Sequence, residues 1–282
     1  MAKCLLLVPI GSGVGLPTVR IGLEHSIALQ GVSVHSLCPF DQVPGSIFPQ
    51  PFDPETIAKA MEQNNIEPLI NKILTVMEQY AEHIIVIQGL LNKEQDQVFQ
   101  HDINIKLAQA THADIIFVST PKQWNAKQLA NTIDIYVNQY RQAKCNKILG
   151  HICNKINAPH DYGGYLGLRS AISKNVISPS KKFSAPSKIP QLASIPWSAQ
   201  LLSPRVSDIA DRLDVEVIAA GNMEQRRIER FILCARNVEN ITEALTGNTL
   251  IITAADRIDI IFACCMAVLN GSQIAGLLLT GN

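Results

Sequence analysis

Eight residues near the start of the chain have the types and spacing to seat a phosphate: Gly11-Ser12-Gly13-Val14-Gly15-Leu16-Pro17-Thr18. They follow a short apolar run, Lys3 to Ile10, and open a helix-like stretch that ends near Leu29. A buried strand, a glycine turn and a helix N-terminus point backbone N–H groups inward, and the helix dipole adds partial positive charge. Phosphoryl transfer in such a seat also needs cations. The pattern G-x-x-x-x-G-K-[ST] supplies a lysine after its last glycine and then a hydroxyl for magnesium. Aligned on Gly15, those two places hold Leu16 and Pro17, and the place of the first glycine holds Ile10. Gly11, Ser12, Gly13, Gly15 and Thr18 are therefore candidate contacts for a nucleotide or other anion, in a seat without its charged parts.

Other chemistry finds less support. The seven cysteines include no C-x-x-C pair, and most sit in apolar runs, as buried free thiols do. The seven histidines all precede residue 161, and none is paired at helical spacing with a metal partner, so no metal ligand is assigned. Equal numbers of basic and acidic residues, 24 each, give no surface for nucleic acid. No apolar run approaches the ~18 residues that cross a bilayer. With no secretory leader either, the expected place is the cytoplasm.

The positioning elements read as follows. A helix is predicted over 19–30, with Ile21, Ile27 and Leu29 among its apolar positions, and a strand over 32–37 ending at Cys38-Pro39. Helices follow at 55–64 and 67–81, then a strand at 84–90, a helix at 102–111, a strand at 113–119, a helix at 128–142 and a strand at 147–154. Residues 158–188 read as a long exposed loop, 189–197 as a returning strand, and 205–213 as a helix closing a first domain of residues 1–213. From residue 214 a smaller α/β domain begins: a strand at 215–219, helices at 224–236 and 238–245, a strand at 249–254, a helix from Asp256 to Leu269, and an apolar strand at 274–280. Arg226, Arg227 and Arg230 read as a solvated helical face, and Asp256, Arg257 and Asp259 as caps, with Arg257 pairing with Asp259 or Glu243. Continuous apolar strands between amphipathic helices indicate a parallel sheet with helices on both faces. An end at a buried-looking strand suggests a fragment of a longer protein.

The order of the glycine turn, the 84–90 strand and the Asn154-Lys155-Ile156-Asn157 corner resembles dethiobiotin-synthetase-like P-loop proteins. In that family the third strand ends in Glu-Gly, the glutamate helping to hold magnesium, and the second ends in Lys-Pro. Here the pairs are Gln88-Gly89 and Cys38-Pro39. Three charged places are thus neutral: Leu16, Cys38 and Gln88. Asn154 stands where related folds contact a purine edge, and it also fits a plain strand-end turn.

The second segment, with Thr253-Ala254-Ala255-Asp256-Arg257-Ile258-Asp259 and later Thr280-Gly281, resembles the start of a DRTGG domain. The two segments in this order resemble the N-terminal half of the long-form phosphate acetyltransferases. The resemblance implies a non-catalytic regulatory and oligomerisation module. Acetyl transfer between acetyl-CoA and phosphate would belong to a C-terminal domain absent here, so no catalytic residue carries over. It also implies that no cofactor is required, that a nucleotide effector such as ATP or NADH binds weakly, and that the protein is a homo-oligomer. The competing expectation is an active ATP-dependent ligase of the dethiobiotin synthetase type, which needs Lys3 or Lys155 to replace the lysine missing at Leu16.

Overall fold

The computed structural model describes residues 3–63, 65–91, 97–121, 124–158, 186–198, 201, 203–234, 245 and 247–281. They divide into two compact units, the first taking residues up to 160 together with 179–197, the second taking 198–282.

The first unit alternates strands and helices: β1 (Lys3–Pro9), α1 (Leu16–Ala28), β2 (Val34–Leu37), α2 (Pro54–Glu62), α3 (Glu67–Glu78), β3 (Ile84–Gln88), α4 (Gln97–Thr111), β4 (Asp114–Ser119), α5 (Ala126–Gln142), β5 (Ile148–Ile156) and β6 (Gln191–Pro196). The six strands form one parallel sheet in the order β2-β3-β1-β4-β5-β6. Strand side chains alternate between faces, so β1 feeds two cores. Leu6, Val8 and Ile10 pack with Ile73 of α3, Leu107 of α4 and Ile133 of α5. Leu5 and Leu7 pack on the other face with Leu16 and Val19 of α1. Each fully buried side chain of this kind contributes roughly 1.5–3 kcal/mol. The expected α/β sheet with helices on both faces is therefore the fold.

Local signals fix several element starts. Asp53 caps α2 by accepting from the Thr56 N–H at 2.7 Å. Asn125 and Gln128 close a reciprocal cap on α5. The first helix begins at Leu16, with Pro17 in its opening turn, where a missing N–H costs nothing. That start changes its inner face. Ile21 and Leu29 lie in solvent, and Leu16, Val19, Leu23 and Ile27 face the core.

The second unit contains α6 (Val206–Leu213), β7 (Arg230–Leu233), β8 (Thr249–Ala254), α7 (Ile258–Leu269) and β9 (Gly276–Thr280), with the strands parallel in the order β7-β8-β9. Three expectations are corrected here. The 205–213 helix, expected to close the first domain, instead packs Val206 and Ile209 on Leu250 and Ala275 of the second unit. Residues 215–219 form no strand: the helix ends in left-handed backbone at Asp214, and Val217 and Ile218 are exposed with no strand to pair with. Of the helix expected at 224–236, the described residues 224–234 are not helical. Arg226 donates to Ile274 O and Arg227 to Ser203 O, which ties the segment to its own unit's backbone, and β7 starts at Arg230. The helix expected at 238–245 and the loop at 158–188 lie largely outside the described residues.

All seven cysteines are free, and burial pushes the thiols of Cys4, Cys153 and Cys264 up to about 11. Cys264 is buried but its neighbour Cys265 is exposed, so only one of the pair is core. Among the described residues no helix is long and apolar enough to cross a membrane.

Burial also holds the imidazoles of His101 and His151 below their ordinary value of 6.5, against smaller opposing pulls from Asp102 and Gln191. Below pH 6.5 the unfolded chain then binds more protons than the folded one. Stability is intact above that pH and falls as the pH drops toward the folded values. Melting curves from about pH 7.5 to about pH 5.5 should show a falling midpoint, and His151→Leu should flatten the fall.

Candidate functional site

The glycine turn leaves β1 at the sheet's carboxyl edge. Ile10 still donates to Val118 O of β4, at 2.8 Å, and the chain then bends through Gly11, Gly13 and Gly15, all at positive φ. The N–H groups of Gly11, Gly13, Val14 and Gly15 make no backbone hydrogen bond among the described residues. Gly15 caps α1 in left-handed backbone, φ 73°. A Cβ there would lie 2.7 Å from Asn154 Nδ2 and 3.0 Å from Lys155 Cε, so two constraints hold this position to glycine.

Those two neighbours come from the end of β5. Asn154 is buried, and its Nδ2 donates to Val14 O at 2.8 Å and more weakly to Gly15 O at 3.4 Å, while its Oδ1 accepts from the Lys155 N–H. Both amide oxygen and nitrogen are thus engaged in shaping the turn, as in the strand-end reading. An amide nitrogen carries two hydrogens, and only one is used in a short bond. Lys155, in left-handed backbone, stretches along the turn and donates from Nζ to Gly13 O at 2.9 Å. Burial lowers its pKa.

Of the expected contacts, Gly13 and Gly15 are brought together with Asn154 by this corner. Ser12 and Thr18 are exposed, Thr18 on the first turn of α1. Leu16 is fully buried among Val14, Val19, Val86 and Ile116, so its side chain is core.

The other two neutral places are equally enclosed. Cys38 is fully buried and its N–H donates to Ser46 Oγ at 3.0 Å; burial raises the thiol pKa, against the pull of Arg20. Gln88, at the end of β3, donates from Nε2 to Asp41 Oδ2 at 2.7 Å, and its Oε1 has no partner among the described residues. A carboxylate at 88 would face a second carboxylate. Beside them Arg20 of α1 is 2% exposed, donating from Nη1 to both carboxylate oxygens of Glu24 at 2.9 and 3.1 Å and contacting the Ser36 hydroxyl of β2.

On the α5 side of the turn, Ile10, Gly11 and Ser12 line a recess of about 210 Å³ with Thr120, Trp124, Thr132 and Tyr136. None of these seven residues is charged.

Sequence reasoning missed Arg20, Asp41, Thr120, Trp124 and Tyr136 as parts of this edge. Arg20 left one signal, a glutamate four residues later on a helix with an apolar face. The rest become visible only once the strand order is known.

Similarity to known proteins follows the same two units. Residues 208–282 match the DRTGG domain model. Over 310 residues the chain is 29% identical to phosphate acetyltransferase of Escherichia coli (strain K12), which covers all of this chain and 43% of that protein. Against phosphate acetyltransferase of Pseudomonas aeruginosa it is 27% identical over 292 residues, covering 97% of this chain and 41% of the relative. The chain thus spans less than half the length of the curated relatives it matches. Among solved structures, a nucleotide-binding protein in complex with ADP from Archaeoglobus fulgidus aligns at TM-score 0.40 and 15% identity over 71% of this chain and 84% of that one, a score that fixes neither topology nor ligand. Residues 39–205, more than half of the 282, match the AAA domain model, and with a parallel sheet built around a glycine turn and a DRTGG domain behind it, the chain belongs to that AAA domain family and is similar along its whole length to part of the phosphate acetyltransferases.

Proposed function

We propose that this chain is a non-catalytic regulatory and assembly module of a phosphate acetyltransferase. The transfer of acetyl from acetyl-CoA to phosphate belongs, on this reading, to an acetyltransferase domain of the same polypeptide beyond the part seen here. The module needs no cofactor. It binds a small anion or a nucleotide such as ATP or NADH weakly, at the turn of Gly11, Ser12, Gly13, Gly15 and Thr18 beside Asn154, and passes the signal through interfaces of a homo-oligomer. One observation carries the reading: the residue in the place of the phosphate-binding lysine, Leu16, is fully buried in the hydrophobic core. Backbone N–H groups remain to attract an anion, but the cation that would stabilise a transferring phosphoryl group is absent from that position.

Incubation with ATP and magnesium should release no phosphate, and no acetyl-CoA:phosphate exchange should appear. Thermal shifts with ATP, NADH, pyruvate and CoA separate an effector module from a pure scaffold. A ligand at 100 times its Kd adds roughly 2.7 kcal/mol. Steady phosphate release that Gly15→Trp abolishes would overturn the proposal.

A second reading, an ATP-dependent ligase, has one observation in its favour: the Lys155 ammonium lies 2.9 Å from Gly13 O, against the turn. It requires phosphate release by the wild-type chain and its loss in Lys155→Met.

A further inference from the structure

The strand order opens a crevice that the sequence does not announce. From β1 the chain leaves through α1 on one face of the sheet, returning at β2; from the adjacent β4 it leaves through α5 on the other face, returning at β5. Neighbouring strands whose connections diverge in this way part at their carboxyl ends, which is where open α/β sheets seat ligands. The recess of about 210 Å³ lies at that point, with Ile10 and Gly11 following β1 and Thr120 and Trp124 following β4.

We propose that this crevice binds a small, uncharged, single-ring ligand that carries a hydrogen-bonding group. The chemistry of the walls sets each part of that description. No described lining residue carries charge, so an anion gains nothing here that the glycine turn does not already offer. Trp124 and Tyr136 supply aromatic surface, which favours a ring. The Tyr136 ring is backed edge-on by His101, with ring centroids 4.8 Å apart, and by Phe117 at 6.4 Å, so that wall is fixed in place. Gly11 lies against the other wall: a Cβ there would make ordinary contact with the Trp124 ring, at 3.7 Å.

Thr120 supplies the polar requirement. It is 3% exposed and its hydroxyl has no hydrogen-bond partner among the described residues. A buried hydroxyl left unpaired keeps an unrecovered desolvation cost, which a ligand group that pairs with it recovers. The size excludes a whole nucleotide, since pockets for drug-sized ligands run from roughly 300 Å³ upward. This site goes beyond the effector reading above and stands or falls separately from it.

The chain's two tryptophans are Trp124 and Trp197, so Trp197→Phe leaves Trp124 as the sole indole reporter. In that background, titration with benzamide should change the fluorescence in a saturable manner, and benzoate should not. Thr120→Val, which keeps the shape and removes the hydroxyl, should weaken benzamide by roughly three- to tenfold. Thr132→Phe, a change at a half-buried helix position that fills the recess, should abolish the response with the melting midpoint retained. No saturation with benzamide would mean that the recess holds only water, and would overturn the proposal. Equal affinity in Thr120→Val, or tighter binding of benzoate, would overturn it as well. None of these outcomes bears on whether ATP or NADH binds at the turn.

Discussion

Leu16→Lys, the substitution that returns a lysine to its place in the phosphate-binding pattern, is expected to destabilise the protein and to create no ATPase. Leu16 is fully buried, and Val14, Val19, Val86 and Ile116 share its core. An ammonium placed there has no carboxylate among those side chains. A buried charge without a partner costs about 3–5 kcal/mol. For a unit of this size that is a fall of roughly 10 °C in melting midpoint. Urea or thermal unfolding measures it directly, and phosphate release with ATP and magnesium runs on the same sample. A variant that keeps its midpoint and hydrolyses ATP would show that the side chain at 16 can swing to the turn. The inert-module reading would then lose its foundation.

Glu24→Ala is the second large effect. Arg20 keeps only 2% of its surface in water, and Glu24 is the carboxylate paired with it, across one turn of α1. Removing that carboxylate strands a guanidinium between α1 and β2, with the Ser36 hydroxyl as a neutral remaining contact. The expected loss is about 3 kcal/mol. The double variant Arg20→Met with Glu24→Leu should recover most of it, because two apolar groups fill the space without an unpaired charge. If Glu24→Ala stays within about 0.5 kcal/mol of wild type, water reaches the guanidinium and the pair has little structural weight.

Much of the first sheet was legible in the sequence, because a strand buried on both faces leaves a continuous apolar run. Ile84–Gln88 and Asp114–Ser119 are such runs, and both lie where expected. The second unit was read less well between residues 215 and 236. Val215 to Ala219 has the right composition for a strand, but composition cannot supply a pairing partner. The charged residues from Glu224 to Arg230 imitate a helix surface, and two of their guanidinium groups are drawn instead to backbone carbonyls, one of them 48 residues away. Local propensity is a weak prior when tertiary bonds compete with it. The candidate site divides along the same line. The glycines announced the turn by their spacing. Lys155 entered only as a conditional substitute, since its contact with Gly13 joins residues 142 apart. Thr120 and Trp124 gave no signal at all until β4 was known to lie beside β1.

The link from Asn154 to Val14 also bears on when the turn forms. It joins residues 140 apart and spans from the end of β1 to the end of β5, with β4 lying between them. Closing so long a loop gains little until the intervening strand is in place. The turn is therefore expected to take its final curvature late, after the centre of the sheet has assembled. An anion offered to newly made chains should find the turn only once the first unit has folded.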